Sequence, residues 1–146
     1  MDFTEQISST AGRTETWSAL TAVTTWPDWT PSMRVVEPLD SPEIAVGHRF
    51  RITQPGLPRI VWTVTEVRAA ESFVWTAKSP GVHTTAFHRL ADAPGGGTQI
   101  TIGIAQSGPL AGLVGALLGA KTRRYLGLEA AGLKAASEAV DADSPA

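Results

Sequence analysis

The stretch from Pro109 to Val140, PLAGLVGALLGAKTRRYLGLEAAGLKAASEAV, decides how the rest of the chain is read. It is the only segment long enough for a helix that spans a whole small domain. Leu110, Leu113, Val114, Leu117, Lys121, Tyr125, Leu128 and Gly132 recur at steps of three or four and trace one face. Lys121 interrupts that face and is expected to snorkel. Ser107 is a candidate cap, and Pro109 is tolerated in a first turn. Gly112, Gly115 and Gly119 lie on roughly one side, and each costs about 0.8 to 1.0 kcal/mol of helix propensity relative to alanine. A helix that accepts them needs room there, either for close approach of a neighbour or for a cavity wall.

Before Gly108 the chain reads as short strands and turns. Phe3, Glu5 and Ile7 alternate with Thr4, Gln6 and Ser8, the period of a first or edge strand. Trp17, Leu20 and Val23 then take helical spacing, and Trp26-Pro27-Asp28-Trp29-Thr30-Pro31 suits a second short helix ended by its last proline. From Met33 on, turn signals recur about every ten residues, as in an antiparallel meander. Strands are expected at Arg34 to Pro38, His48 to Thr53, Ile60 to Val67, Phe73 to Ala77, Val82 to Leu90 and Thr98 to Ala105. The loops between them are too short for parallel crossovers. The fold class is therefore α+β: a curved antiparallel sheet of about seven strands, two short helices after the first strand, and one long C-terminal helix that the sheet wraps. Residues 1–140 are expected to form one domain and residues 141–146 a disordered tail.

Ile100, Ile102 and Ile104 must face the core. Pairing Leu90 with Thr98, and Ala77 with Val82, puts Thr84, Ala86, His88 and Leu90 on that same inner face, together with Phe73, Trp75 and Ala77. A one-residue slip would bring His83, Thr85, Phe87 and Arg89 inward instead, burying Arg89 beside the isoleucines.

Composition narrows the function. The chain has 146 residues and no cysteine, which removes disulfides, thiolate catalysis and cysteine-bound metal. A net charge of −2 gives no overall footprint for nucleic acid or anionic membrane. The N-terminus lacks a signal-peptide pattern, and Leu110 to Ala120 is too short to span a bilayer, so a cytoplasmic protein without membrane insertion is expected. His48, His83 and His88 form no three-ligand metal set in this register, no G-x-S-x-G elbow is present, and Gly95 to Gly97 fit a turn better than a phosphate site. No metal and no cofactor is called for.

The order of these pieces resembles the START-like, helix-grip (SRPBCC) superfamily, and within it the polyketide cyclase/dehydrase and lipid-transport group. Its carriers are Trp26-Pro27-Asp28-Trp29-Thr30-Pro31, Gly47-His48-Arg49-Phe50, Trp62-Thr63-Val64-Thr65-Glu66-Val67, Phe73-Val74-Trp75, Gly97-Thr98-Gln99-Ile100-Thr101, and the terminal helix with Tyr125-Leu126 and Leu128-Glu129. The resemblance implies a cavity between sheet and helix that takes a small hydrophobic ligand, polyketide-like or lipid-like. Alternatives within it are a cofactor-independent cyclase or dehydratase using His88 as general acid/base, and a protein-interaction module.

Trp29, Trp62, Trp75, Thr84, His88, Ile102, Leu113, Leu117 and Tyr125 are the candidate ligand-binding residues, with His88 the candidate catalytic one. Each has a plainer use: tryptophans as core, His88 satisfied by a neighbouring threonine or backbone group, Glu66 as a solvated rim residue. A dry void of about 300 Å³ would cost about 7 kcal/mol. That rivals the roughly 5 to 15 kcal/mol of a whole domain, so a pocket of ligand size should be wet, collapsed or occupied.

Overall fold

The computed structural model describes residues 2–143, with side chains as far as Val140. Of the expected disordered tail, 141–146, residues 141–143 continue the last helix and 144–146 lie outside the described residues. The elements run β1 (Asp2–Ser9), α1 (Arg13–Thr21), a 3-10 turn (Val23–Thr25), α2 (Trp26–Trp29), β2 (Val35–Pro38), β3 (Arg49–Thr53), β4 (Ile60–Arg68), β5 (Ser72–Ser79), β6 (Val82–Asp92), β7 (Thr98–Ser107) and α3 (Ala111–Asp143).

All seven strands form one antiparallel sheet in the order β1-β7-β6-β5-β4-β3-β2. β2 to β7 is a meander, and β1 joins beside β7, which leaves β1 and β2 as the edges. The alternation of Phe3 and Ile7 serves an edge strand whose inward side meets α3. The sheet curls around α3, and α1 and α2 pack against the helix's C-terminal half. This is the helix-grip arrangement.

The inner face is the expected one, although two pairings differ. Leu90 lies opposite Ile100, not Thr98, and Val82 lies opposite Ser79, not Ala77. Each shift is by two residues, so it preserves which side chains face the core. The hairpin between β5 and β6 is tighter than expected because Pro80-Gly81 alone makes the turn, with Gly81 at φ 75°, as the third position of a type II turn requires.

The start of α3 also differs. Ser107 is not its cap: it pairs with His83 inside β7, and the first helical bond runs from Val114 N–H to the Leu110 carbonyl at 3.0 Å.

Candidate functional site

An aromatic cluster floors the inner sheet. Trp75 on β5 lies 5.2 Å from Phe73 and 5.8 Å from Trp62, centroid to centroid. Trp26 from α2 closes over it at 5.4 Å. Trp26 is fully buried and donates its indole N–H to the Leu20 carbonyl at 2.9 Å, which fixes α2 on the end of α1. Its position continues the Trp17, Leu20, Val23 spacing by one more step of three, the signal by which sequence reasoning could have preferred it to Trp29. Trp29 instead packs outside the cavity, against Gly132 of α3.

Between this floor and the N-terminal half of α3 lies a pocket of about 240 Å³. Trp62, Trp75, Thr84, His88, Ile102 and Tyr125 all line it, together with Trp26, Ile52, Ala86, Ile104, Val114, Leu118, Thr122, Leu126 and Glu129. The helix therefore stands off from Trp75, His88 and Ile102.

Leu113 and Leu117 do not reach the pocket: they are 57% and 73% exposed on the outer side of α3. The inward stripe is Ala111, Gly115, Leu118, Gly119, Thr122, Leu126, Ala130, Leu133 and Ser137. It is turned by about one residue from the leucine-led face, roughly 100° of helix. Where α3 approaches β1 the buried positions must be small: a Cβ added at Gly119 would meet the Phe3 ring at 3.4 Å. Hydrophobicity marks the wrong side of such a helix. Gly112 is exposed with open space beside it, so the three glycines do not share one role.

Two of the titratable side chains that line the pocket, His88 and Glu129, have displaced pKa values. His88 on β6 is 4% exposed and stacks on Phe73 at 4.1 Å. Its Nδ1–H donates to the Phe73 carbonyl at 3.2 Å, since a carbonyl only accepts. That leaves Nε2 unprotonated as an acceptor. Burial lowers the histidine pKa to about 4, against a smaller opposing effect of the bond to Phe73, so the ring is neutral at pH 7.

Glu129 on α3 was missed as a site residue. Burial raises its carboxyl pKa to about 8, and among the described residues no hydrogen bond or ion pair offsets this. It is neutral at pH 7 and can donate as well as accept. Its place one turn beyond Tyr125 was the available signal.

The remaining polar candidates have ordinary uses. The Tyr125 hydroxyl donates to the Pro55 carbonyl in the β3–β4 loop, tying that loop to α3. Glu66 is exposed and pairs with Arg68 at 3.0 Å. Among the described residues no cluster of three His, Asp or Glu side chains is placed to hold a metal, and no helix is long and apolar enough to cross a membrane.

Comparison with known proteins agrees with this architecture. The sequence profile of the family described as Polyketide cyclase / dehydrase and lipid transport matches residues 1–138. Among curated proteins none matches. The fold is similar to that of the Zhui aromatase/cyclase from Streptomyces sp. R1128, with TM-score 0.76, 17% identity, and 94% and 93% of this and that chain covered. A hypothetical protein of Helicobacter pylori superimposes with TM-score 0.75 at 14% identity, covering 93% and 86%. Ara h 8.0201 does so with TM-score 0.65 at 15% identity, covering 98% and 99%.

Proposed function

Because the chain belongs to the polyketide cyclase/dehydrase and lipid-transport family, we propose that it binds a small hydrophobic molecule bearing a flat ring system and a carbonyl or hydroxyl oxygen. The observation that carries this reading is one cavity lined by Trp26, Trp62 and Trp75 and also by Glu129 and His88; burial pushes the Glu129 carboxyl up to about 8. Flat aromatic rings pack against tryptophans with little loss of freedom, and Trp26, Trp62 and Trp75 line the cavity. Glu129 donates to a ligand carbonyl, and His88 Nε2 accepts from a ligand hydroxyl. A saturated fatty chain would use the apolar walls but leave both groups unmet, which costs affinity.

The test is a thermal-shift and native mass-spectrometry screen of aromatic hydroxyketones against saturated hydrocarbons of similar volume. Stabilisation by the first set, weakened about tenfold in Glu129→Leu, supports the proposal; that factor is one hydrogen bond of about 1.4 kcal/mol. No binding by either set, or equal affinity for Glu129→Leu, would sink it.

The same pair favours a second reading, a cofactor-independent cyclase or dehydratase. A protonated carboxyl and a neutral imidazole in one cavity are an acid and a base with displaced pKa values. With its pKa near 4, His88 is a weak base, so the acid role moves to Glu129, which protonates a carbonyl or a departing hydroxyl. Turnover of a poly-β-ketone that falls in both Glu129→Gln and His88→Ala, each still folded, is the expected result of that reading; unchanged turnover in both removes it.

A further inference from the structure

The rim of the pocket carries a feature that ligand binding does not use. Pro58, Ser79 and Pro80 are exposed lining residues, so the cavity opens between the β3–β4 loop, the β5–β6 turn and the first turns of α3. Beside that rim, Leu110, which abuts Gly81 of the β5–β6 turn, and Leu113 and Leu117 farther along the outer side of α3 are 44%, 57% and 73% exposed. They follow one another at steps of three and four, so they project from one outer strip of α3 that the core leaves unburied. Arg124 continues the same strip two turns, seven residues, beyond Leu117.

Charge is segregated in the same place. Arg59 and Lys78 flank the two rim loops, and Lys121 and Arg124 flank the leucines on α3. Lys121 Nζ reaches the neutral Gly56 carbonyl at 3.4 Å, and none of these four cations has an acidic partner among the described residues. The ion pairs Arg13–Asp92, Arg49–Asp40, Arg51–Glu37, Arg68–Glu66 and Lys134–Glu138 involve none of these four cations. The net charge of −2 conceals this separation, which is why composition alone argued against an anionic surface.

We infer that the mouth of the pocket docks peripherally on an anionic lipid bilayer, with Leu110, Leu113 and Leu117 seated in the interface and the flanking cations on lipid phosphates. A second copy of the chain would set these cations against each other. A nucleic acid would meet the cations but leave the leucines without apolar contact. An anionic bilayer satisfies both at once, as it does for basic amphipathic helices that lie in the interface without crossing it. It also places the apolar opening against lipid, so a hydrophobic molecule can pass in or out without entering water. The inference concerns the rim and stands whether or not the ligand chemistry proposed above is right.

The test is flotation of the full chain with phosphatidylcholine vesicles with and without phosphatidylglycerol, at low and high salt. Binding is expected only with the anionic lipid and at low salt. Leu113→Ser/Leu117→Ser, which removes apolar side chains the core does not need, should keep the wild-type melting temperature and lose at least tenfold in partitioning. Lys121→Gln and Arg124→Gln should each lose about fivefold. Equal binding to neutral vesicles, no binding at all, or full binding by the double serine variant overturns the inference. Retention on immobilised polyglutamate without vesicle binding also overturns it, in favour of an acidic protein partner.

Discussion

The two halves of α3 are built to different specifications. From Ala130 to Glu138 the helix is embedded: Ala130, Leu133 and Ser137 are buried in step, and Glu138 accepts from the Thr10 N–H at 3.2 Å. The Gly132 backbone lies directly against Trp29 of α2. From Ala111 to Glu129 one flank touches β1 through small residues, a second lines the cavity, and the third leaves leucines in solvent. One continuous helix thus anchors the fold at one end and builds a binding wall at the other. Tight packing is spent where α1 and α2 clamp the helix, and the gap opens where they no longer reach.

Leucine truncation is the most direct way to break that contrast. Leu133 is 2% exposed, and Leu133→Ala should cost about 2 to 5 kcal/mol, the usual range for a buried leucine. Leu118 is half-buried and already borders empty space, so Leu118→Ala should cost about 1 kcal/mol, below that range, while enlarging the pocket. Urea denaturation of the two variants measures the difference. Equal losses would mean that the N-terminal half is as firmly packed as the C-terminal half.

Glycine substitution comes next. A Cβ at Gly132 would collide with the Trp29 carbonyl oxygen, a backbone atom that cannot swing aside. Gly132→Ala should cost about 3 kcal/mol, the upper end for overpacking. At Gly112 nothing lies within 4 Å, so Gly112→Ala should stabilise by about 0.8 to 1.0 kcal/mol through helix propensity alone. Opposite signs for one chemical change on one helix, read as melting temperatures, would sharpen the comparison; like signs would remove it.

This contrast also explains what was legible in the sequence. Strand parity was readable, because Ile100, Ile102 and Ile104 admit only one inner face and a two-residue error in pairing leaves it intact. The rotation of α3 was not. Its anchored face includes Ala111, Gly115, Gly119 and Ala130, whose value is their lack of bulk, and its leucines stand outside at the N-terminal end. A pattern scored by hydrophobicity follows the leucines and turns the helix the wrong way. His88 was found because strand parity put it inside. Glu129 is harder to place, because a carboxylate on a helix is ordinarily solvated and a position one turn beyond Tyr125 faces a cavity only once α3 stands off from the sheet.

The cavity half can also be read through pH. Glu129 has its pKa raised by burial from 4.5 to about 8, so the folded protein holds this proton more tightly than the unfolded chain. Stability from this group is fully present below pH 4.5 and is lost as pH rises toward 8. His88 has the opposite sense: its pKa falls from 6.5 to about 4, so its neutral form stabilises above pH 6.5 and that contribution is lost as pH falls toward 4. Between 4.5 and 6.5 the two slopes oppose each other, and stability should change little. Between pH 6.5 and 8 Glu129 acts alone, and at about 1.4 kcal/mol per pH unit the wild type should lose about 2 kcal/mol. Glu129→Gln keeps the shape and a donor but cannot ionise, so its denaturation midpoint should stay level across that window. A wild-type profile equally level there would mean that water reaches Glu129 freely and that this part of the helix wall is open to solvent.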